Sequence, residues 1–153
     1  AVGVFAVQLA RWRGARVIAT ASTNNLNFVR QLGAHEVIDY RKTRFEDAVR
    51  NVDVVFDTVG GKTLERSWNV LKAGGKLVTI AAGGAQSADP RVRDAFMLVR
   101  ADGSQLAEIG NLIDAGELRP FVAGVFPLAE AREAYARAEQ GGKRGKIALQ
   151  VME

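Results

Sequence analysis

Apolar residues Val2, Phe5, Ala6 and Leu9 recur at helical spacing, so the chain is predicted to open in an amphipathic helix. Arg11 and Arg13 suit the negative end of its dipole, and Gly14 suits its stop. Residues 16–21 form a β-branched run and predict a strand. Thr23, Asn24 and Asn25 are cap-type residues; Phe28, Val29 and Leu32 then follow at helical spacing, and Gly33 stops that helix. Val37 and Ile38 mark a short strand, and residues 45–49 a brief helix. Residues 52–57 are nearly continuously apolar, as a strand buried on both faces is. Leu64, Trp68 and Leu71 predict a helix closed by Gly74 and Gly75, with a strand over 76–81, a loop over 83–93 and a strand over 95–99. Leu106, Ile109 and Ile113 predict a helix ended by Gly116, then a strand over 121–126. A last helix carries Leu128, Ala131, Tyr135 and Ala138 on its apolar stripe, before a strand over 147–151. On this pattern Tyr135, Trp12 and Trp68 are core residues. Alternating strands and helices predict a doubly wound α/β fold, a parallel sheet with helices on both faces.

Composition narrows the chemistry. The 153 residues are about one domain's worth, 48% hydrophobic and 25% charged, which argues against disorder. No apolar run approaches the roughly 18 residues of a membrane span, so no membrane partner is expected. With no Cys and only His35, the chain offers no disulfide, no thiolate chemistry and no zinc cluster, and no metal is expected. His35 itself follows Gly33-Ala34 and reads as an exposed bystander. The lack of Cys predicts a cytoplasmic protein. The net charge of +4 is spread along the chain and suits an anionic small ligand. The densest cluster, Lys143-Arg144-Gly145-Lys146, reads as a solvated turn before a strand rather than a nucleic-acid site. No G-x-S-x-G or phosphate-binding G-x-x-x-x-G-K-[ST] is present, so hydrolase and P-loop chemistry are not expected. The chain opens in a helix without an initiator Met, a basic leader or a secretory core, and reads as a piece of a longer protein.

In doubly wound sheets ligands bind beyond the carboxyl ends of the strands. Val2, Gly3 and Val4 begin the first helix, where free N–H groups and the positive dipole end favour an anion, and Gly3 allows close backbone packing. At the end of the 16–21 strand, Ser22, Thr23 and Asn25 stand where a site for the unphosphorylated dinucleotide carries an acid. They can donate hydrogen bonds to a 2′-phosphate, or simply cap a helix. Asp57-Thr58-Val59-Gly60-Gly61 and Ala81-Ala82-Gly83-Gly84 let a ligand approach the backbone, or are plain turns. Tyr40-Arg41-Lys42 offers an adenine-stacking ring and phosphate-pairing cations, or a surface turn.

The segments V-G-V-F-A-V-Q-L-A, G-A-R-V-I-A-T-A-S, F-V-R-Q-L-G-A-H-E-V-I-D-Y, D-V-V-F-D-T-V-G-G, L-K-A-G-G-K-L-V, F-P-L-A-E-A-R-E-A-Y and G-K-I-A-L resemble medium-chain dehydrogenase/reductases, in register over essentially the whole chain. The branch they resemble is that of the zinc-independent quinone oxidoreductases. The resemblance implies a Rossmann fold over residues 1–120, truncated before its first strand, with 121–153 packing on an absent N-terminal catalytic domain. It implies NADP(H) as cofactor and hydride transfer to a small electrophile: a quinone, an enone or a related carbonyl. Val2, Gly3 and Val4 would touch the pyrophosphate; Ser22, Asn25 and Tyr40 would surround the 2′-phosphate. Thr58, Val59, Gly60, Ala82 and Gly83 would lie along the nicotinamide ribose, and the backbone of Phe96, Met97 and Leu98 would meet the carboxamide. The family often has Lys or Arg near positions 24–26, where this chain has Asn24, Asn25 and Leu26. A homodimer through the 95–99 edge is implied too. No catalytic residue is identified, and the chain alone is expected to be inactive. The competing readings are a non-catalytic dinucleotide-binding protein and an S-adenosylmethionine-dependent methyltransferase.

Overall fold

In a computed structural model that describes residues 2–140 and 142–152, the elements run α1 (Val2–Trp12), β1 (Ile18–Ala21), α2 (Leu26–Gln31), β2 (Glu36–Asp39), α3 (Phe45–Ala48), β3 (Val52–Asp57), α4 (Gly61–Ser67), β4 (Leu71–Thr79), α5 (Pro90–Ala95), α6 (Gly103–Asp114), β5 (Val122–Pro127), α7 (Ala131–Glu139) and β6 (Lys146–Gln150). The chain divides into two units, one spanning Ile18–Gly103 and the other built from the flanking segments.

Within Ile18–Gly103, β1 pairs in parallel with β2, setting Ile18 opposite Glu36 and Ala21 opposite Asp39. β3 pairs in parallel with β4, setting Val54 opposite Lys76 and Asp57 opposite Thr79. Two apolar clusters hold the helices to these strands. Leu64, Leu77, Val92 and Ala95 form one, with Val55, Trp68 and Leu71 against it. Ile38, Val49 and Val70 form the other, with Ile18, Phe45, Val52 and Val55. Val55 contributes to both, so the two sheets share apolar packing.

The expected doubly wound parallel sheet, truncated before its first strand, is not present as one continuous sheet. Among the described residues there are three two-stranded parallel sheets: β1-β2, β3-β4 and β5-β6. No ladder joins β1 to β3 among the described residues, and their side chains meet in one apolar cluster instead. The α/β alternation and the parallel sense are those of a Rossmann-like nucleotide-binding domain.

Four local expectations are corrected. The helix read through Leu71 ends at Ser67; after one 3₁₀ turn, Leu71 already belongs to β4. The pairing register jumps between Val52 and Val54, because the strand bulges at Lys72–Gly75. The loop read over 83–93 contains most of α5, capped by the Asp89 carboxylate, which accepts from the Arg91 amide, with Pro90 in its first turn. Residues 95–99 are not a strand. Ala95 ends α5, and Phe96 makes one isolated parallel bridge to Thr79. β3 is not buried on both faces either: Val54 and Phe56 are exposed, while Val52 and Val55 pack inward.

In the other unit, Val4 and Val7 bury one side of α1. The Gln8 side chain accepts from the Arg119 amide (2.9 Å) and donates to the Arg119 carbonyl (3.1 Å), which pins the segment beside the buried Leu118 to the helix. β5 and β6 pair in parallel, and α7 packs on them through Ala134, with Ala131 and Ala138 half-buried. Tyr135, one position round the helix, is 70% exposed and is not core. Trp12 is also exposed, beneath the Arg13 guanidinium, whereas Trp68 packs as expected. The Lys143–Lys146 cluster is a turn into β6. The Lys143 ammonium donates to the Ala138 carbonyl near the end of α7, and Gly145 lies against the Phe121 backbone.

Candidate functional site

Parallel pairing puts the carboxyl ends of β1 and β2 side by side. The Tyr40 amide donates to the Ala21 carbonyl, which carries the pairing one residue past the strands. The polar residues beyond them bond to one another. The Thr23 hydroxyl donates to Asp39 Oδ2 at 2.6 Å, the Arg41 backbone amide to Asp39 Oδ1 at 3.0 Å, and the Asn25 side-chain Nδ2 to Ser22 Oγ at 3.0 Å. Ser22 and Asn25 occupy N-cap positions, yet neither makes a side-chain cap bond. The capping reading of these residues therefore fails.

Asp39 is the residue that sequence reasoning passed over. The tip of β1 has no acid, as noted, but the adjacent tip of β2 does, and its side chain is buried. The Thr23 hydroxyl holds its carboxyl below the usual range. Burial opposes this, and the Arg41 amide and the Lys42 and Arg41 charges assist it. Its signal was in the sequence, as the polar residue between Ile38 and Tyr40. Around it stand the exposed Tyr40 ring and two exposed cations, Arg41 and Lys42. A flat aromatic surface with adjacent positive charge suits a purine and a phosphate.

The ends of β3 and β4 form a second rim. Asp57, 4% exposed, accepts from the amides of Val59 (3.3 Å) and Gly60 (3.0 Å), which folds residues 57–60 into a tight turn. Its Oδ2 also accepts from the Thr79 hydroxyl at 2.7 Å. Gly60 has φ +78°, and a Cβ there would lie 2.7 Å from the Ala81 Cβ, so the two loops touch at a residue without a side chain. Gly83 takes the left-handed conformation in open space. Thr58, Val59, Ala82 and Gly83 are exposed above this frame. The Met97 amide donates to the Thr79 carbonyl at 2.9 Å, and the Phe96 ring packs on Gly84, so the 96–98 segment lies beside the same rim. Phe96, Met97 and Leu98 also line an open groove of ≈ 670 Å³ with Trp68 and Arg91.

The structure thus brings together two groups of predicted residues: Ser22, Asn25 and Tyr40 at one pair of tips, and Thr58, Val59, Gly60, Ala82, Gly83, Phe96, Met97 and Leu98 at the other. Val2, Gly3 and Val4 belong to the other unit, in the first turn of α1. Val2 and Gly3 are exposed there and Val4 is buried. Gly3 has no atom near its Cβ position, so the expected close packing at that residue is absent among the described residues. His35 is exposed, as read. Among the described residues no helix is long and apolar enough to cross a membrane, and no three His, Asp or Glu side chains gather as metal ligands.

The profile of the family described as "zinc-binding dehydrogenase" matches residues 32–149. Zinc does not fit this chain's own donor set, which has no Cys and one exposed His. A zebrafish protein, "NAD(P)H oxidoreductase RTN4IP1, mitochondrial", is 33% identical over 99% of this chain and 47% of its own length. The chloroplastic "NADPH-dependent alkenal/one oxidoreductase" of Arabidopsis thaliana is 35% identical over 97% of this chain and 37% of its own. The solved quinone oxidoreductase of Coxiella burnetii superposes with a TM-score of 0.90 at 32% identity, covering 99% of this chain and 50% of that one. The chain therefore spans about half the length of the relatives it matches.

These comparisons overturn the cytoplasmic expectation, because the RTN4IP1 relatives are named as mitochondrial. Cysteine content reports only whether disulfides can form, so it carried no information about an organelle. The methyltransferase reading is set aside as well. By profile, sequence and fold, the chain belongs to the medium-chain dehydrogenase/reductase superfamily, in its zinc-independent quinone-oxidoreductase-like branch.

Proposed function

We propose that this chain holds NADP(H) for a reductase of quinones, enones or related carbonyls. The observation that carries the reading is the paired rim at the ends of β3 and β4, where glycine-rich backbone is exposed over a buried hydrogen-bonded frame. The relatives named for NAD(P)H and NADPH chemistry point to the same cofactor. When bound, that cofactor supplies the hydride, from C4 of its nicotinamide.

This chain's residues bind and orient. In this reading the amides of Val2, Gly3 and Val4 face the pyrophosphate. Ser22, Asn25 and Tyr40 surround the 2′-phosphorylated adenosine, with Arg41 and Lys42 supplying nearby positive charge. Thr58, Val59, Gly60, Ala82 and Gly83 border the nicotinamide ribose, and the backbone of Phe96, Met97 and Leu98 meets the carboxamide. Residues 1–120 would complete a doubly wound domain in the whole protein, and 121–153 would pack on a further domain that supplies most of the substrate pocket. The exposed Leu98 and Val99 would pair across a homodimer. No residue of this chain is assigned as proton donor.

The test is NADPH consumption by the purified full-length protein over a panel of quinones and enones. Turnover with at least one class is expected. NADPH binding without turnover across the panel would favour a non-catalytic role, and absence of NADPH binding would refute the reading.

A further inference from the structure

Asp57 and Thr79 are buried, hydrogen-bonded and not among the residues assigned to the cofactor. Thr79 is fully buried, and Asp57 is 4% exposed. Their hydrogen bonds run in both directions across the β3–β4 rim. Asp57 accepts from Val59 and Gly60 in the first loop and from the Thr79 hydroxyl; the Thr79 oxygen in turn accepts from the Ala81 amide in the second loop, at 3.1 Å. Backbone bonds continue the frame. The Ile80 amide donates to the Asp57 carbonyl, and the Met97 amide to the Thr79 carbonyl. Three segments, 58–60, 81–83 and 96–98, are therefore referred to one buried pair.

Burying the Asp57 carboxylate costs desolvation, which among the described residues is offset by neutral donors alone, the Val59 and Gly60 amides and the Thr79 hydroxyl. What the carboxylate and hydroxyl do that an apolar pair cannot is bond to both loops at once. We propose that Asp57 and Thr79 are a positioning pair that fixes the spacing of the two loops, and through it the nicotinamide half of the cofactor site, without touching the cofactor. This rests on the NADP(H) reading above.

The experiment uses the full-length protein with Thr79→Val, which removes the hydroxyl at constant shape, and Thr79→Ser, which restores it. Two probes are titrated: NADPH, which spans the whole site, and 2′,5′-ADP, which occupies only the adenosine half. Thr79→Val is expected to weaken NADPH roughly tenfold, about the weight of one buried hydrogen bond, and to leave 2′,5′-ADP unchanged. Thr79→Ser is expected to recover most of the NADPH affinity. Should Thr79→Val fail to fold, Asp57→Asn carries the same comparison. Unchanged NADPH affinity, or equal loss for both probes, would overturn the proposal by leaving the pair a purely structural role. If the unsubstituted protein binds 2′,5′-ADP and NADPH, the cofactor reading stands whatever the variants do; if it binds neither, that reading fails first and takes the pair with it.

Discussion

Gly60 and Gly83 separate two costs that a glycine can avoid. Both have positive φ, +78° and +85°, so a side chain at either strains the backbone. Only Gly60 also faces a neighbour, with the Ala81 Cβ 2.7 Å from where its own Cβ would stand. Gly83→Ala should therefore cost about 1 kcal/mol, and Gly60→Ala clearly more, in urea unfolding. Equal costs would mean that the loops separate freely and that the rim is not a fixed frame. Legibility at this scale was uneven. The glycines, Tyr40 and Ser22 stood out by type and position. Asp39 and Thr79 did not, because their importance lies in partners 16 and 22 residues away that only parallel pairing brings near. Spacing alone puts Tyr135 on the apolar stripe of α7, whereas the helix packs through its small residues.

At the level of elements, α4 is held by Leu64 against Leu77, Val92 and Ala95. Leu64→Ala should destabilise the fold by about 2–5 kcal/mol, read by denaturant titration with Trp68 in the same cluster as reporter. A loss below 1 kcal/mol would contradict that packing.

α3 is fixed differently, by the buried Glu46, which accepts from Arg44 (2.9 Å) and Arg66 (3.2 Å). Burial pushes the Glu46 carboxyl up. Its backbone bond and the two guanidinium groups outweigh that and hold it below the usual range. Asp39, Asp53 and Asp89 are lowered too, chiefly by Thr23, Lys72 and Arg91. A lowered acid contributes stability above its unfolded pKa, about 4, and loses it as pH falls through the lower folded value. Thermal stability should thus vary little on these groups' account between pH 7 and about 5, and fall steadily below about 4. Glu46→Gln should lower the midpoint at pH 7 and flatten that acid limb; an unchanged limb would show that the pairing adds nothing. The order of elements was legible from hydrophobic period and glycine placement. Boundaries were lost where two signals overlapped: Leu71 fits a helical stripe and a strand equally, and Pro90 marks the start of α5 inside what composition reads as loop.

For the whole molecule, the α/β class followed from alternation alone, and the family from seven segments in register. The continuous sheet did not follow. Hydrophobic period identifies strands but not their neighbours, and among the described residues β1 bonds to β2, β3 to β4 and β5 to β6 with no ladder between the pairs. Compartment was also beyond composition, as the mitochondrial relatives show. The central claim is that a dinucleotide lies across the strand tips, and amide hydrogen exchange of the full-length protein with and without NADPH tests it most directly. Slowed exchange in segments 22–25, 40–42, 58–61 and 81–84, with the outer faces of α2 and α4 unaffected, is the predicted result. Protection confined to other surfaces, or none at saturating NADPH, would contradict the account.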